Sequence, residues 1–264
     1  MDNNQNKHRI VVKIGTSSLT HENGHLNLRR IESLVIALSD LKNMGHEIVM
    51  VSSGAISAGV SKLGLSSRPD TTEGKQAAAA VGQTDLMNTY DHFFNRFGHK
   101  VAQILLTRDV IDNEIRLTSA QNTFEMLLKM GCIPIVNEND TISIDEIKFS
   151  GNDILSAYVS VMCHADLLVN LSDVDGMYTA DPRKDPDAKL IERIEALSEQ
   201  ILSYAGGSGT KLGTGGMAAK LKAAQICCKS GCPMIITNGS KPELLYDIAQ
   251  GKPVGTWIDT SIAQ

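Results

Sequence analysis

Three turns in the sequence carry what a phosphate group requires. Phosphate oxygens are held by converging backbone N–H groups, by helix N-termini with their partial positive charge, and by one or two lysines. The segment VVKIGTS ends a β-branched run on Lys13 and follows it with Gly15, which lets the backbone approach an anion. SSGAISAG makes a turn that feeds a helix, and LGTGGMAAK opens a helix with Gly213, Gly215 and Gly216 and sets Lys220 in its first turn. Each has an ordinary reading, since a lysine at a strand end is usually a surface lysine and a Ser-Gly turn is usually only a turn. Their joint occurrence favours a phosphorylated ligand.

A second group of residues suits a small zwitterion. Asn137-Glu138-Asn139-Asp140 follows the apolar run at 133–136, and IKFSGNDILSA sets Asn152 and Asp153 at the start of a helix, where either also makes an ordinary N-cap. Asparagine donates and accepts, and the carboxylate of Asp140 suits an ammonium group, so the set fits an amino acid better than a sugar or a lipid. Asp153 has a second use, because a carboxylate between two ammonium groups fixes both.

Several common chemistries do not fit. G-x-x-x-x-G-K-[ST] is missing, so this is not a P-loop sequence. Gly213 to Ala218 matches G-x-G-x-x-A, but no strand precedes it and the next acidic residue, Glu243, is misplaced for a ribose contact. Ser53 follows a strand as a hydrolase nucleophile would, yet Val51 stands where the nucleophile elbow needs glycine.

The elements that must position these groups are legible from periodicity. Strands are predicted at Ile10–Ile14, Glu47–Val51, Val101–Leu106, Ile133–Val136, Leu167–Leu171 and Met234–Thr237. A helix capped by Asn27 and ended by Gly45 carries an Ile31, Leu34, Val35, Leu38, Leu41 stripe, and further helical patterns run near 75–96, 117–130, 153–163 and 217–230. Apolar strands alternating with helices imply a parallel sheet buried on both faces, whose ligands bind at the carboxyl ends of the strands. The turns after the runs, among them Ser172-Asp173-Val174-Asp175-Gly176, therefore gather on one rim.

Composition agrees. The chain has 264 residues, 42% apolar and 21% charged, with 25 basic against 30 acidic side chains and a net charge of −5, which excludes a disordered class and gives no basic field for nucleic acid. No apolar run reaches the roughly 20 residues a membrane span needs, and the polar start MDNNQNKHRI is unlike a signal peptide, so a cytoplasmic protein is expected. The five cysteines form no C-x-x-C pair and read as reduced core thiols, and His21 and His25 in HENGH read as a solvated turn rather than a metal site.

VVKIGTSSL, VSSGAISAG, AAVGQ, LLTRDV, PIVNENDTI, EIKFSGNDILSA, LSDVDGMYTADPR, LGTGGMAAK and ITNGSKP together resemble the amino acid kinase family, in the expected order and over most of residues 10–258. The combination of TADPR, NEND and GTGGM is specific, whereas the lysine turn is shared widely in that family. The resemblance implies an α/β fold, a three-layer α/β/α sandwich around a mainly parallel sheet, with ATP and its acceptor in adjacent pockets on the rim. It implies ATP-dependent phosphorylation, assisted by Mg²⁺, of the side-chain carboxylate of L-glutamate, the reaction that opens proline biosynthesis. By the same resemblance Lys13 and Lys220 stabilise the transferring phosphoryl group and Asp153 organises them. Ser53, Asp140, Asn152 and, more weakly, Asn137 bind the amino acid. Lys13, Ser172, Asp173 and the run Thr214, Gly215, Gly216, Met217, Ala218, Ala219, Lys220 bind ATP. The family's usual threonine before that aspartate is Ser172 here, which keeps the hydroxyl.

Many members carry a PUA domain after the kinase domain; this chain stops soon after GTWID, so a single kinase domain over residues 1–264 without a PUA domain is expected. Inhibition by proline and assembly into dimers or tetramers are further family expectations. The competing readings are a kinase of the same family acting on aspartate, N-acetylglutamate, carbamate or a nucleoside monophosphate, and a non-catalytic sensor. Asp140 argues for a free α-amino group, and the two lysines with Asp153 argue for catalysis.

Overall fold

The computed structural model describes residues 7–21, 23–144, 149, 151–204 and 216–259. In chain order these form β1 (Arg9–Ile14), α1 (Thr16–Leu19), α2 (Leu28–Asn43), β2 (Glu47–Val51), α3 (Ala55–Lys62), α4 (Thr72–Asn95), β3 (Val101–Leu106), α5 (Asp109–Asp112), α6 (Glu114–Lys129) and β4 (Ile133–Glu138). They continue with α7 (Asn152–Met162), β5 (Leu167–Ser172), β6 (Met177–Tyr178), β7 (Leu190–Ile191), β8 (Arg193–Ile194), α8 (Glu199–Tyr204), α9 (Met217–Lys229), β9 (Met234–Asn238), α10 (Leu244–Ala249) and β10 (Thr256–Ile258).

Local signals explain the longer helices. The Asn27 side chain accepts a hydrogen bond from the Arg30 N–H at 3.1 Å, Thr71 does the same for Gly74 at 3.1 Å, and Asn113 for Arg116 at 3.1 Å, so α2, α4 and α6 each begin on a side-chain cap. Gly45, with φ of +100°, turns the chain from α2 into β2 in a conformation that side chains resist.

Eight strands make one sheet in the order β3-β4-β2-β1-β5-β9-β10-β8. β3, β4, β2, β1, β5 and β9 run parallel, and β10 pairs antiparallel with β9. Alternation along the strands divides the core into two layers. Ile10, Val12 and Ile14 of β1 pack with α2, α4 and α10, whereas Val11 packs with α6, α7 and α9. Lys13 follows Val11 by two residues and so shares its face, as Asn170 of β5 shares the face of Leu168. These two are register partners across β1 and β5. The sandwich and the mainly parallel sheet agree with the expectation from sequence.

Two strand ends differ for a physical reason, and one thiol differs in its burial. β4 extends to Glu138 because Leu105 and Leu106 of β3 pair with Asn137 and Glu138, so these two polar residues belong to the strand and are buried, not to the turn after it. Ser172 likewise closes β5, paired with Asn238. Cys163, Cys227, Cys228 and Cys232 are buried, as core thiols should be, while Cys132 is only half-buried. Among the described residues, no helix is long and apolar enough to cross a membrane.

Candidate functional site

Lys13 leaves the carboxyl end of β1, Asp153 sits in the first turn of α7, and Lys220 lies one turn into α9. Three elements thus converge on one point of the rim. Lys13 Nζ lies 2.7 Å from Asp153 Oδ1, and Lys220 Nζ lies 3.1 Å from Asp153 Oδ2. All three are buried, at 7%, 2% and 6% exposure for Lys13, Asp153 and Lys220, so the ion pairs are sheltered from screening. Asn170, fully buried on β5, donates from Nδ2 to Asp153 Oδ1 at 2.7 Å and fixes the carboxylate from the strand side.

With every group ionised this cluster holds one more positive than negative charge in a low-dielectric setting, an arrangement built to receive an anion. Burial pushes the Asp153 carboxyl up, but Lys13 and Lys220 outweigh it and hold the group below the usual carboxylate range. Burial draws Lys13 below the ordinary lysine value; Asp153 opposes this shift and Lys220 adds to it. The Asp173 carboxylate also raises Lys13, so the rim after β5 is electrically in touch with the cluster.

Beside it stands a neutral polar cluster. Asn152 Nδ2, next to Asp153, donates to the Ser52 carbonyl at 2.6 Å, to Ser53 Oγ at 2.8 Å and to Asn137 Oδ1 at 3.0 Å. Ser53, Asn137 and Asn152 are therefore brought together. Two residues that the sequence reading did not single out hold them: Gln83 Oε1 accepts from Asn137 Nδ2 at 2.9 Å, and Tyr90 shares a 2.8 Å hydrogen bond with Ser52 Oγ. Both come from α4, two turns apart on one face. Asp140 is half-buried in the turn just past β4. Glu138 anchors that turn, because its Oε1 accepts from Ser143 Oγ at 2.8 Å and from the Phe149 N–H at 3.2 Å.

On the other side of the lysines, Ser172 ends β5 and donates to Asp173 Oδ1 at 3.2 Å. Asp173 is exposed and lies 3.7 Å from the Arg183 guanidinium, which also reaches Asp181 at 3.1 Å. Gly216 is the N-cap of α9, and Met217, Ala218 and Ala219 form the turn that leads to Lys220. Thr214 and Gly215 lie outside the described residues. The signal that could have found Asn170 is an amide inside the otherwise apolar strand LLVNLS. For Gln83 it is a polar residue in register with Ala79, Leu86 and Tyr90 on the buried face of α4.

The chain matches the amino acid kinase family over residues 8–238. It is 53% identical to the glutamate 5-kinase of Clostridium tetani over 250 residues, 95% of this chain and 94% of that protein. It is also 53% identical to the glutamate 5-kinase of Clostridium perfringens over 252 residues, 94% of each. Among solved structures, the carbamate kinase of Giardia lamblia bound to AMP-PNP superimposes with a TM-score of 0.67 at 19% identity, covering 97% of this chain and 99% of that one.

Proposed function

The chain belongs to the amino acid kinase family, and from that membership we propose that it transfers the γ-phosphoryl group of ATP to the side-chain carboxylate of L-glutamate, giving L-glutamyl 5-phosphate and ADP. The observation that carries the reading is the buried Lys13-Asp153-Lys220 cluster, gripped at 2.7 and 3.1 Å. A carboxylate is already a nucleophile and needs no general base. The obstacle is to bring two anions together and to spread charge over the departing phosphoryl oxygens. The surplus charge of the two lysines meets that obstacle, and Asp153 keeps both in place before the nucleotide arrives.

Lys13 and Lys220 face the transferring group in this reading. Ser172, Asp173, Thr214, Gly215 and the start of α9 from its N-cap Gly216 to Ala219 hold the nucleotide, whose phosphates meet the N-terminal amides of that helix. Ser53, Asn137, Asp140 and Asn152 hold the amino acid, with Asp140 as the partner of its α-ammonium group. Both oxygens of Asp153 are occupied by lysines and Asn170, so this carboxylate does not suit a metal. Mg²⁺ fits instead as part of the MgATP substrate, carried by the phosphates. Inhibition by proline, oligomer formation and a cytoplasmic location belong to the same proposal.

The test is ATP consumption with L-glutamate, L-aspartate and N-acetylglutamate, each trapped with hydroxylamine to capture an acyl phosphate. Hydroxamate from glutamate alone is the expected result. Hydroxamate from N-acetylglutamate in preference would move the chain to another activity of the family, and ATP binding without any hydroxamate would make it a sensor.

A further inference from the structure

We propose that Gln83 is a substrate-binding residue that donates a hydrogen bond from Nε2 to the α-carboxylate of the amino acid and thereby sets which α-substituent the pocket accepts. The inference rests on the reading of the site as an amino-acid kinase pocket and extends it.

The argument begins with the polarity of three side-chain amides. Asn152 Nδ2 donates to the Ser52 carbonyl, an atom that can only accept, so the orientation of Asn152 is settled by the backbone. Asn137 Oδ1 accepts from the Glu138 N–H at 2.9 Å, an atom that can only donate, so Asn137 is settled as well. Its Nδ2 must then donate, and Gln83 Oε1 is the acceptor it meets. The three amides therefore form a directed relay with no freedom to flip. One end presents Asn152 Oδ1, an acceptor, and the other presents Gln83 Nε2, a donor.

Neither end is used within the described residues, and neither is among the buried polar atoms left without a partner, so both keep access to solvent. The relay passes over the carboxyl ends of β2 and β4, from the α4 layer to the first turn of α7, where Asn152 adjoins Asp153. An acceptor near the phosphoryl site and a donor farther from it match a zwitterion whose reacting carboxylate lies against the lysines. The ammonium group, with three donors, meets Asn152 Oδ1 as well as the Asp140 carboxylate, and the α-carboxylate meets Gln83 Nε2.

Gln83→Glu keeps an oxygen for Asn137 and replaces the donor with an acceptor of the same shape. The KM for L-glutamate should rise about ten- to a hundred-fold, as expected for loss of a hydrogen bond to a charged group, while the KM for ATP holds. The decisive readout is relative kcat/KM for L-glutamate and for L-isoglutamine, which carries an α-carboxamide and keeps the reacting side-chain carboxylate. Gln83→Glu should raise the isoglutamine-to-glutamate ratio by about tenfold or more, because a carboxylate at 83 accepts from the carboxamide N–H and repels the carboxylate. A ratio equal to that of the unsubstituted enzyme would overturn the proposal, since a residue that only props Asn137 affects both substrates alike. Gln83→Met, which removes both polar atoms, provides the second variant. It should raise the KM for glutamate more than that for isoglutamine, and equal increases would count against the contact. Failure of the unsubstituted enzyme to form any hydroxamate from glutamate would instead overturn the kinase reading itself.

Discussion

At the scale of single residues, the cluster at Asp153 couples electrostatics to chemistry. In the proposed reaction each lysine supplies a preorganised donor to a charge that develops in the transition state, and removal of one such donor commonly costs on the order of 10²–10³ in turnover. Lys13→Ala and Lys220→Ala should each lower kcat by about that factor while changing the KM for glutamate far less, which steady-state kinetics at saturating ATP will read. Near-normal kcat in either variant would remove the lysine from its role. Asp153→Asn has a different signature. Asp153 raises the pKa of Lys13 against the effect of burial, so its loss moves the ammonium further down and shifts the alkaline limb of the kcat profile to lower pH. The folded protein then holds two buried ammonium groups with no carboxylate between them, a defect worth about 3–5 kcal/mol. Lys13 with a lowered folded pKa costs stability in full below that pKa, and the cost is relieved progressively as pH rises from it toward the ordinary lysine value. The thermal midpoint of Asp153→Asn should therefore climb as pH rises through the interval between the lowered Lys13 value and the ordinary lysine range, and a midpoint flat up to that range would contradict the assigned charges.

At the scale of elements, α3 and α4 shape the cluster proposed to hold the amino acid. A Cβ on Gly59 would stand 1.7 Å from the Ala78 carbonyl oxygen, and one on Gly82 would stand 1.8 Å from that of Ala55, so the two helices touch backbone to backbone through reciprocal glycines. Ala55 opens α3 directly after Ser53 and Gly54, and Gly82 precedes Gln83. Gly82→Ala should push α3 away, destabilise the fold by about 1–3 kcal/mol or more, and raise the KM for glutamate with little change for ATP. Equilibrium urea unfolding and kinetics together check this, and an unaltered glutamate KM in a destabilised protein would uncouple the helix pair from the pocket.

The elements also show what was legible in the residues. Six apolar runs read as strands are strands within one or two residues, because a strand buried on both faces needs an unbroken apolar run. β6, β7, β8 and β10 escaped, since two or three residues are too few to display a period. The small residues of AISAGVSK hide the length of α3, whose contact surface is backbone rather than side chain. Of the site, the lysines, Asp153, Ser53, Asn137 and Asn152 were readable from turn position and charge. Asn170 and Gln83 were not, because each lies inside a regular element and its purpose appears only when a residue distant in sequence is brought against it.

At the scale of the whole molecule, the two ends of the sheet are given to different tasks. The carboxyl rim carries the lysines and amides, while the amino end is braced by Arg9. Its guanidinium lies 2.7 Å from Glu47, 3.1 Å from Glu125 and 2.5 Å from the Cys163 carbonyl, and its N–H donates to Asp166 at 2.6 Å. One side chain thereby ties β1 to β2, α6 and the end of α7. Arg9→Ala should lower stability by about 1–3 kcal/mol in urea unfolding and leave both KM values and kcat near those of the parent, since it lies a full strand length from the rim. A large kinetic loss without unfolding would show that the two ends communicate.

The pairing of Lys13 with Asn170 across β1 and β5 has a consequence for how the chain assembles. A strand that slips by one residue exchanges its two faces. A misaligned β1 would drive an ammonium into the leucine and isoleucine layer under α2 and strip Asp153 of a counter-ion in the same motion. Side chains proposed to act on substrate thus also report alignment: a one-residue slip of β1 is penalised twice, by the ammonium it buries and by the carboxylate it leaves unpaired.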